Sequence, residues 1–500
     1  MRKLHVILLL ILALTAVTCQ QKKIPEMAER TNLQPKAFYE QHNNFKEKAI
    51  TNRRFKHKDI VPLLEQLKQS HLFEVEVIGK SVEQRDIYMV KAGTGKTKVM
   101  LWSQMHGDES TATMALFDLI NFLQGSDGLD SVRQDILQNT TLYIIPMLNP
   151  DGAERFIRRN ALQIDLNRDA LRLQSPEAVL LKHMRDSINP EFGFNLHDQS
   201  RYYTVGNTSK PATISFLAPA FDYAQTVDTV RARAMRTIVG MNEALQQLIP
   251  GQIAKYSDEH EPRAFGDNIQ KWGTSVILIE SGGYNEDPEK QEIRKLNFAA
   301  IISALQLIAS EGYKSYILED YYIIPENERN LFDLVIRNVR YEQHGQNTLL
   351  DVGIMRDEVE LPSAPEGYYH KSSIEELGDM RVFYGYEEVN GEGLTLVPGK
   401  VYPKPLKSFS SLSTARAQEL LAEGYTTVEV DELPPSGFSP QNLPLNVTKR
   451  AEKVSHDLTL ENMANFVLRD DAGQVKYAIV NGFVYDLNGE IPKLFHGLVL

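Results

Sequence analysis

Three side chains in this sequence have the types and spacing to hold one metal ion. They are His106 and Glu109, in His106-Gly107-Asp108-Glu109, and the distant His197, in Leu196-His197-Asp198. Two imidazoles and one carboxylate make a zinc ligand set, and three protein ligands leave a fourth position open for water, which marks a catalytic rather than a structural site. A His-x-x-Glu pair alone is common by chance, so the weight lies in what accompanies it. Asn149-Pro150-Asp151-Gly152 follows an apolar run and reads first as a tight turn. Asp165-Leu166-Asn167-Arg168 sets a guanidinium beside an amide, a pairing suited to gripping a carboxylate, with a surface ion pair as the plain alternative. Glu280 ends the strongly apolar run Ile277-Leu278-Ile279. A carboxylate there is costly to bury without a partner, and a metal-activated water or a salt bridge would each provide one.

These residues need strands that end at one crevice. Apolar runs predict strands over Phe73–Ile78, Asp86–Lys91, Val99–Trp102, Thr141–Pro146, Phe192–Leu196 and Ser275–Ile279. Helical periodicity predicts helices over 59–70, 111–123, 175–187, 222–248 and 289–311. Strand–helix alternation of this kind implies an α/β fold with a mixed, mainly parallel sheet flanked by helices. His106 and His197 then each follow a strand, at the carboxyl end where such sheets open their ligand crevice. From about residue 330 to 500 the helical pattern fades, and short strands with Gly, Asn and Pro punctuation predict a separate, smaller β-rich domain. Within it Asn481-Gly482 is the turn of a hairpin between 477–480 and 483–485.

With 500 residues, 42% of them hydrophobic, the chain is long enough for more than one core. A net charge of −12 argues against a nucleic-acid partner. Arg2 and Lys3 precede an apolar run from Val6, which reads as a secretory signal over residues 1–19. Cys19, the only cysteine, follows Ala16-Val17-Thr18. This resembles a bacterial lipoprotein cleavage box, which implies an exported envelope protein held to a membrane by lipid on Cys19; an ordinary cleaved signal with an incidental cysteine fits the same residues. Residues 20–54 are polar and read as a spacer, ahead of a catalytic domain over 55–315. A single cysteine allows no internal disulfide, and nothing in the sequence sets an oligomeric state.

The ordered set of His-x-x-Glu, Asn-Pro-Asp-Gly, Asn-Arg, His and a strand-end Glu resembles the zinc carboxypeptidases related to pancreatic carboxypeptidase A, the M14 metallopeptidases, over about residues 55–312. The resemblance implies one zinc ion per chain on His106, Glu109 and His197, and Glu280 as general base and then acid. It also implies Arg158 as the group that polarises the scissile carbonyl, with Arg159 a close competitor. Asn167 and Arg168 would grip a terminal carboxylate, and Tyr256 stands where the family places a mobile tyrosine. The implied activity is removal of a C-terminal residue from a peptide or a muropeptide. A zinc amidase or deacylase on the same fold, and a non-catalytic peptide-binding lipoprotein, are the competing readings. Asp169, after Arg168, departs from the digestive members and is expected to shape the carboxylate pocket or engage an amine. The later segments Asp333–Asn338, Asp351–Ile354, Gly393–Gly399 and Ala478–Gly482 resemble the small β-sandwich of amidohydrolases. Lys400-Val401-Tyr402 follows Pro398-Gly399 where those enzymes open a metal-binding His-x-His. A generic β module that positions the preceding domain reads these strands equally well.

Overall fold

A computed structural model describes residues 30–361, 364–433, 443–449, 454–489 and 494–500. The signal segment and Cys19 lie outside the described residues. The first half carries helices α1 (Pro35–Gln41), α2 (His57–Leu67), α3 (Thr111–Gln124), α4 (Asp130–Asn139), α5 (Pro150–Arg155), α6 (Pro176–Ile188), α7 (Thr229–Gln246), α8 (Phe265–Lys271) and α9 (Gln291–Ala309). Its strands are β1 (Phe73–Lys80), β2 (Asp86–Ala92), β3 (Thr97–Trp102), β4 (Thr140–Ile145), β5 (Phe192–Asp198), β6 (Thr204–Val205), β7 (Ile214–Leu217), β8 (Ile253–Lys255) and β9 (Ser275–Ser281). Eight of them form one sheet in the order β1-β2-β4-β3-β5-β9-β7-β8. The pairs β3–β4, β3–β5, β5–β9 and β7–β8 are parallel, while β1–β2, β2–β4 and β7–β9 are antiparallel. The fold is thus the mixed, mainly parallel α/β sheet that the alternating pattern implies.

Side chains alternate between the faces of a strand, and the two faces bury different helices. Val99, Leu101, Phe194, Leu196, Ile277 and Ile279 pack with α3, α7 and α9 in the larger core. Met100, Trp102 and Val276 pack with α6, α8 and the Leu166–Ala170 segment in the smaller one. By the same alternation His197 and Glu280 point to the α8 face, and their neighbours Asp198 and Ser281 to the α9 face. Residues 35–54, read from their polar composition as spacer, send Phe38, Phe45 and Ile50 into the larger core. The helix expected over 222–248 starts only at Thr229, where the Asp228 side chain accepts from the Arg231 N–H and caps it.

After the short helix α10 (Asp320–Ile323), β10 (Asn327–Glu328) pairs with β6. The chain then turns to β structure: β11 (Leu331–Gln343), β12 (Gln346–Leu361), β13 (Ala364–Gly378), β14 (Tyr384–Asn390), β15 (Thr395–Pro398), β16 (Lys400–Ser408), β17 (Tyr425–Glu432), β18 (Asn446–Thr448), β19 (Phe466–Arg469), β20 (Val475–Val480) and β21 (Phe483–Asp486). A second sheet runs β13-β12-β11-β15-β19-β20-β21, with β14 paired to β11. A third, β16-β17-β18, lies beside α11 (Thr414–Ala422). The Asn481-Gly482 turn has φ of 49° and 71°, the doubly positive geometry of a tight hairpin. Among the described residues no helix is long and apolar enough to cross a membrane.

Candidate metal and catalytic centre

The loop after β3 delivers His106 and Glu109. Asn149, at the start of α5, accepts from the Gly152 N–H at 2.9 Å and donates to the Met105 carbonyl at 3.2 Å. The Asn-Pro-Asp-Gly turn therefore braces the residue just before His106. A Cβ on Gly107 would come within 2.0 Å of the Gly152 carbonyl carbon, so only glycine lets the two backbones meet. β5 delivers His197 from the adjacent strand, and β9 places Glu280 directly opposite it in register.

Glu109 is the shared partner of both histidines. Its Oε1 lies 2.7 Å from His106 Nδ1 and its Oε2 lies 2.7 Å from His197 Nδ1. The two rings are 4.9 Å apart, and one ligand atom from each of the three residues falls within 4.8 Å of the others. All three side chains are buried, and His197 Nε2 has no hydrogen-bond partner among the described residues. Burial works against a charge on His106, yet Glu109 and Asp165 raise it to about 9. Burial likewise opposes ionisation of Glu109, but the two imidazoles hold it well below the usual carboxylate range. A buried carboxylate flanked by two imidazole nitrogens calls for a cation at their centre, and this donor set fits zinc.

Asp165 locks the arrangement from outside. Its Oδ1 lies 3.0 Å from His106 Nε2, and its Oδ2 accepts from Arg158 Nε at 3.0 Å. Arg158 then reaches Glu109 Oε1 with its NH1 at 3.2 Å. Arg159 turns away and donates to the Gln163 carbonyl, so the geometry separates two adjacent arginines that the sequence could not. A carboxylate behind a ligating histidine fixes ring orientation and raises basicity. Sequence reasoning quoted Asp165 within its motif without a role; its place two residues before Asn167 was the available signal.

Glu280 has no hydrogen-bond or ion-pair partner among the described residues. Burial first, and then the negative charge of Glu109, push its carboxyl well above the ordinary range. Tyr256 follows β8, with its ring 6.2 Å from that of Tyr203. Burial, and then the charge of Glu280, raise its hydroxyl pKa. Asn167 accepts from the Phe265 N–H at 2.8 Å, docking the start of α8. Arg168 is exposed, with Nε 3.3 Å from Glu261 Oε2, and Arg263 holds the same carboxylate through two N–H groups. Glu261 and Arg263 escaped the sequence reading, because nothing in their local pattern ties them to Arg168.

Of the two roles expected of Asp169, its contacts speak against engaging an amine. It is buried, and its carboxylate accepts from the Gln174 N–H, the Ser175 N–H and the Ser175 hydroxyl, all at 2.8–2.9 Å. It fastens the chain ahead of α6 and offers nothing to a substrate amine.

Residues 60–211 match the sequence model described as zinc carboxypeptidase, of the M14 peptidases. Human carboxypeptidase D is 29% identical over 153 residues, covering 27% of this chain and 10% of its own. Carboxypeptidase SOL1 of Arabidopsis thaliana is 33% identical over 98 residues, covering 18% of this chain and 20% of its own. The chain thus spans about a tenth of carboxypeptidase D and a fifth of SOL1. Among solved structures, a metallo-carboxypeptidase from Burkholderia cenocepacia is 18% identical, with a TM-score of 0.43 over 51% of this chain and 70% of its own.

Proposed function

From residues 60–211, a zinc carboxypeptidase-family segment, we propose that the protein is a zinc-dependent carboxypeptidase that removes the C-terminal residue of a peptide. The observation that carries this reading is the half-buried Glu280 carboxylate, without a hydrogen-bond or ion-pair partner among the described residues, on the strand position opposite His197. A free base beside a three-ligand metal centre is the arrangement that activates water.

His106, Glu109 and His197 would hold one zinc ion. Bound there, zinc lowers the pKa of a coordinated water to about 7 and polarises a carbonyl. Glu280 takes the proton of the attacking water and returns it to the leaving amine. Burial raises its pKa, which makes the carboxylate a stronger base. Arg158 donates to the oxygen on which charge develops at the scissile carbonyl. Asn167 and Arg168 bind the terminal carboxylate, which sets the distance from the chain end to the bond that breaks. Tyr256 closes over the substrate from the β8 side.

The C-terminal sheets are read as an accessory β module. Export, with a lipid anchor on Cys19 in a bacterial envelope, follows from the signal-like N-terminus. Peptides and the stem peptides of peptidoglycan are then the accessible substrates. Paired peptides with a free and an amidated C-terminus test the exopeptidase reading. The free acid should be cleaved and the amide left intact. Equal turnover of both would favour an amidase or endopeptidase and remove Arg168 as the clamp.

A further inference from the structure

A cavity of about 750 Å³ lies between the loop after β9 and the second sheet. That is within the ~300–1,000 Å³ of small-molecule sites. Its walls touch residues next to Glu109, His197 and Glu280. Lys290 Nζ donates to Asp198 Oδ2 at 3.0 Å and to the Ser281 carbonyl at 3.1 Å. Arg53 accepts from the hydroxyl of Ser110, beside Glu109, through its carbonyl. Gly282 lines the cavity two residues beyond Glu280.

The faces of the first sheet give the direction. Asn167 and Arg168 follow Leu166 on the α8 face, with His197 and Glu280 pointing the same way. Asp198, Ser281 and the start of α9, with Lys290, lie on the other face. A peptide held by its terminal carboxylate at Arg168, with its last bond at Glu280, must cross the strand ends and continue toward the α9 face. We propose that this cavity, walled by the C-terminal β module, receives the residues of a peptide upstream of the cleaved bond. The inference rests on the carboxypeptidase reading and adds a second binding region to it.

The chemistry of the walls narrows the occupant. The basic groups are already matched: Arg201 with Asp333 at 3.1 Å, Arg53 with Glu358, Lys290 with Asp198, and Arg356 with Glu387 and the Gly482 carbonyl. No unpaired basic group remains for a phosphate or a polyanion, and Glu286 and Asp287 add negative charge to the walls. His370 and His496 are different, because neither imidazole has a hydrogen-bond partner among the described residues. The His496 ring stacks on Phe483 at 3.6 Å, and His370 stands 6.1 Å from it. Ring faces with free imidazole nitrogens suit an uncharged peptide backbone and its apolar side chains, which need stacking and single hydrogen bonds rather than ion pairing.

The test is a length series of N-acetylated peptides sharing their last two residues and lengthened upstream from a dipeptide to a hexapeptide. For the zinc-loaded wild type, kcat/KM should rise about tenfold from shortest to longest, the scale of two ring contacts. In the His370→Ala/His496→Ala variant the ratio between longest and shortest should collapse toward one. Calorimetry on Glu280→Gln protein should show the same gain in affinity with length without turnover. Cleavage with a flat length series would overturn the cavity assignment and leave the carboxypeptidase reading standing. Failure to cleave any of the peptides would overturn both. An unchanged length ratio in the double variant would also sink the proposal.

Discussion

Glu109 spends both oxygens on two imidazoles, and Asp165 spends both of its own on His106 and Arg158. One carboxylate therefore orients both His106, the proposed metal ligand, and Arg158, the arginine proposed to polarise the carbonyl. Replacing Asp165 with Asn should weaken zinc binding by ~10–100-fold, as other losses of a carboxylate behind a ligating histidine do. Chelator competition measures it, and an unchanged zinc affinity would refute the assignment. Arg168 shares Glu261 with Arg263, so a substrate carboxylate bound there as proposed would compete with a resident one. Exposed pairs of this kind are worth ~0–1 kcal/mol. Glu261→Gln should lower KM for free-acid peptides by no more than about fivefold and leave kcat unaltered. A raised KM would mean that Glu261 helps to hold the substrate. At this scale the His106, Glu109 and His197 cluster could be read from residue type and order, and the structure brings the three together. The choice between Arg158 and Arg159 could not, because only their folded partners tell them apart, Asp165 and Glu109 for the first and the Gln163 carbonyl for the second. Asp169 misled for a related reason. Its partners are backbone N–H groups five and six residues on, and side-chain identity does not announce these.

Strands were the most legible elements, because buried parallel strands are continuous apolar runs. The runs at Val99, Phe192 and Ser275 each proved to be a central strand of the sheet. What the sequence hides is which helix covers which face, and where polar stretches contribute to the core. Residues 35–54 show this: Phe38, Phe45 and Ile50 are separated by charged and amide residues, yet all three are buried. The device that fastens this segment is also polar. Asp118 on α3 binds Arg294 on α9 through two N–H groups, and it also accepts from the Glu47 N–H and pairs with His42. Asp118 and Arg294 are both fully buried. Breaking such a pair leaves an uncompensated interior charge and costs about 3–5 kcal/mol. Asp118→Asn should lower stability by that amount in denaturant titrations, and a loss under 1 kcal/mol would show the network to be dispensable.

The two halves of the molecule meet through a few exact partners. Asp333 on β11 accepts from the Tyr202 hydroxyl and from the Arg356 N–H, each at 2.7 Å, and pairs with Arg201. His370 and His496 stand near this junction. Burial holds both below the ordinary histidine range, and His496 falls to about 4, helped by the charges of His370 and Arg356. A depressed pKa means that the unfolded chain binds the proton first. The contribution of these two histidines to stability should therefore be constant above about pH 6.5 and fall as pH drops from about 6.5 toward 4. His496→Gln should flatten that slope in thermal melts taken across this window; an unchanged slope would place the acid sensitivity elsewhere. The central claim concerns the first half, that a zinc ion on His106, Glu109 and His197 works with Glu280 on the end of a peptide. Metal analysis of purified wild type and Glu280→Gln protein, joined to turnover of a free-acid peptide, tests it most directly. The expected result is close to one zinc per chain in both proteins, with turnover in the variant reduced by ~100-fold or more. Full activity in the variant, or in wild-type protein stripped of metal, would contradict it.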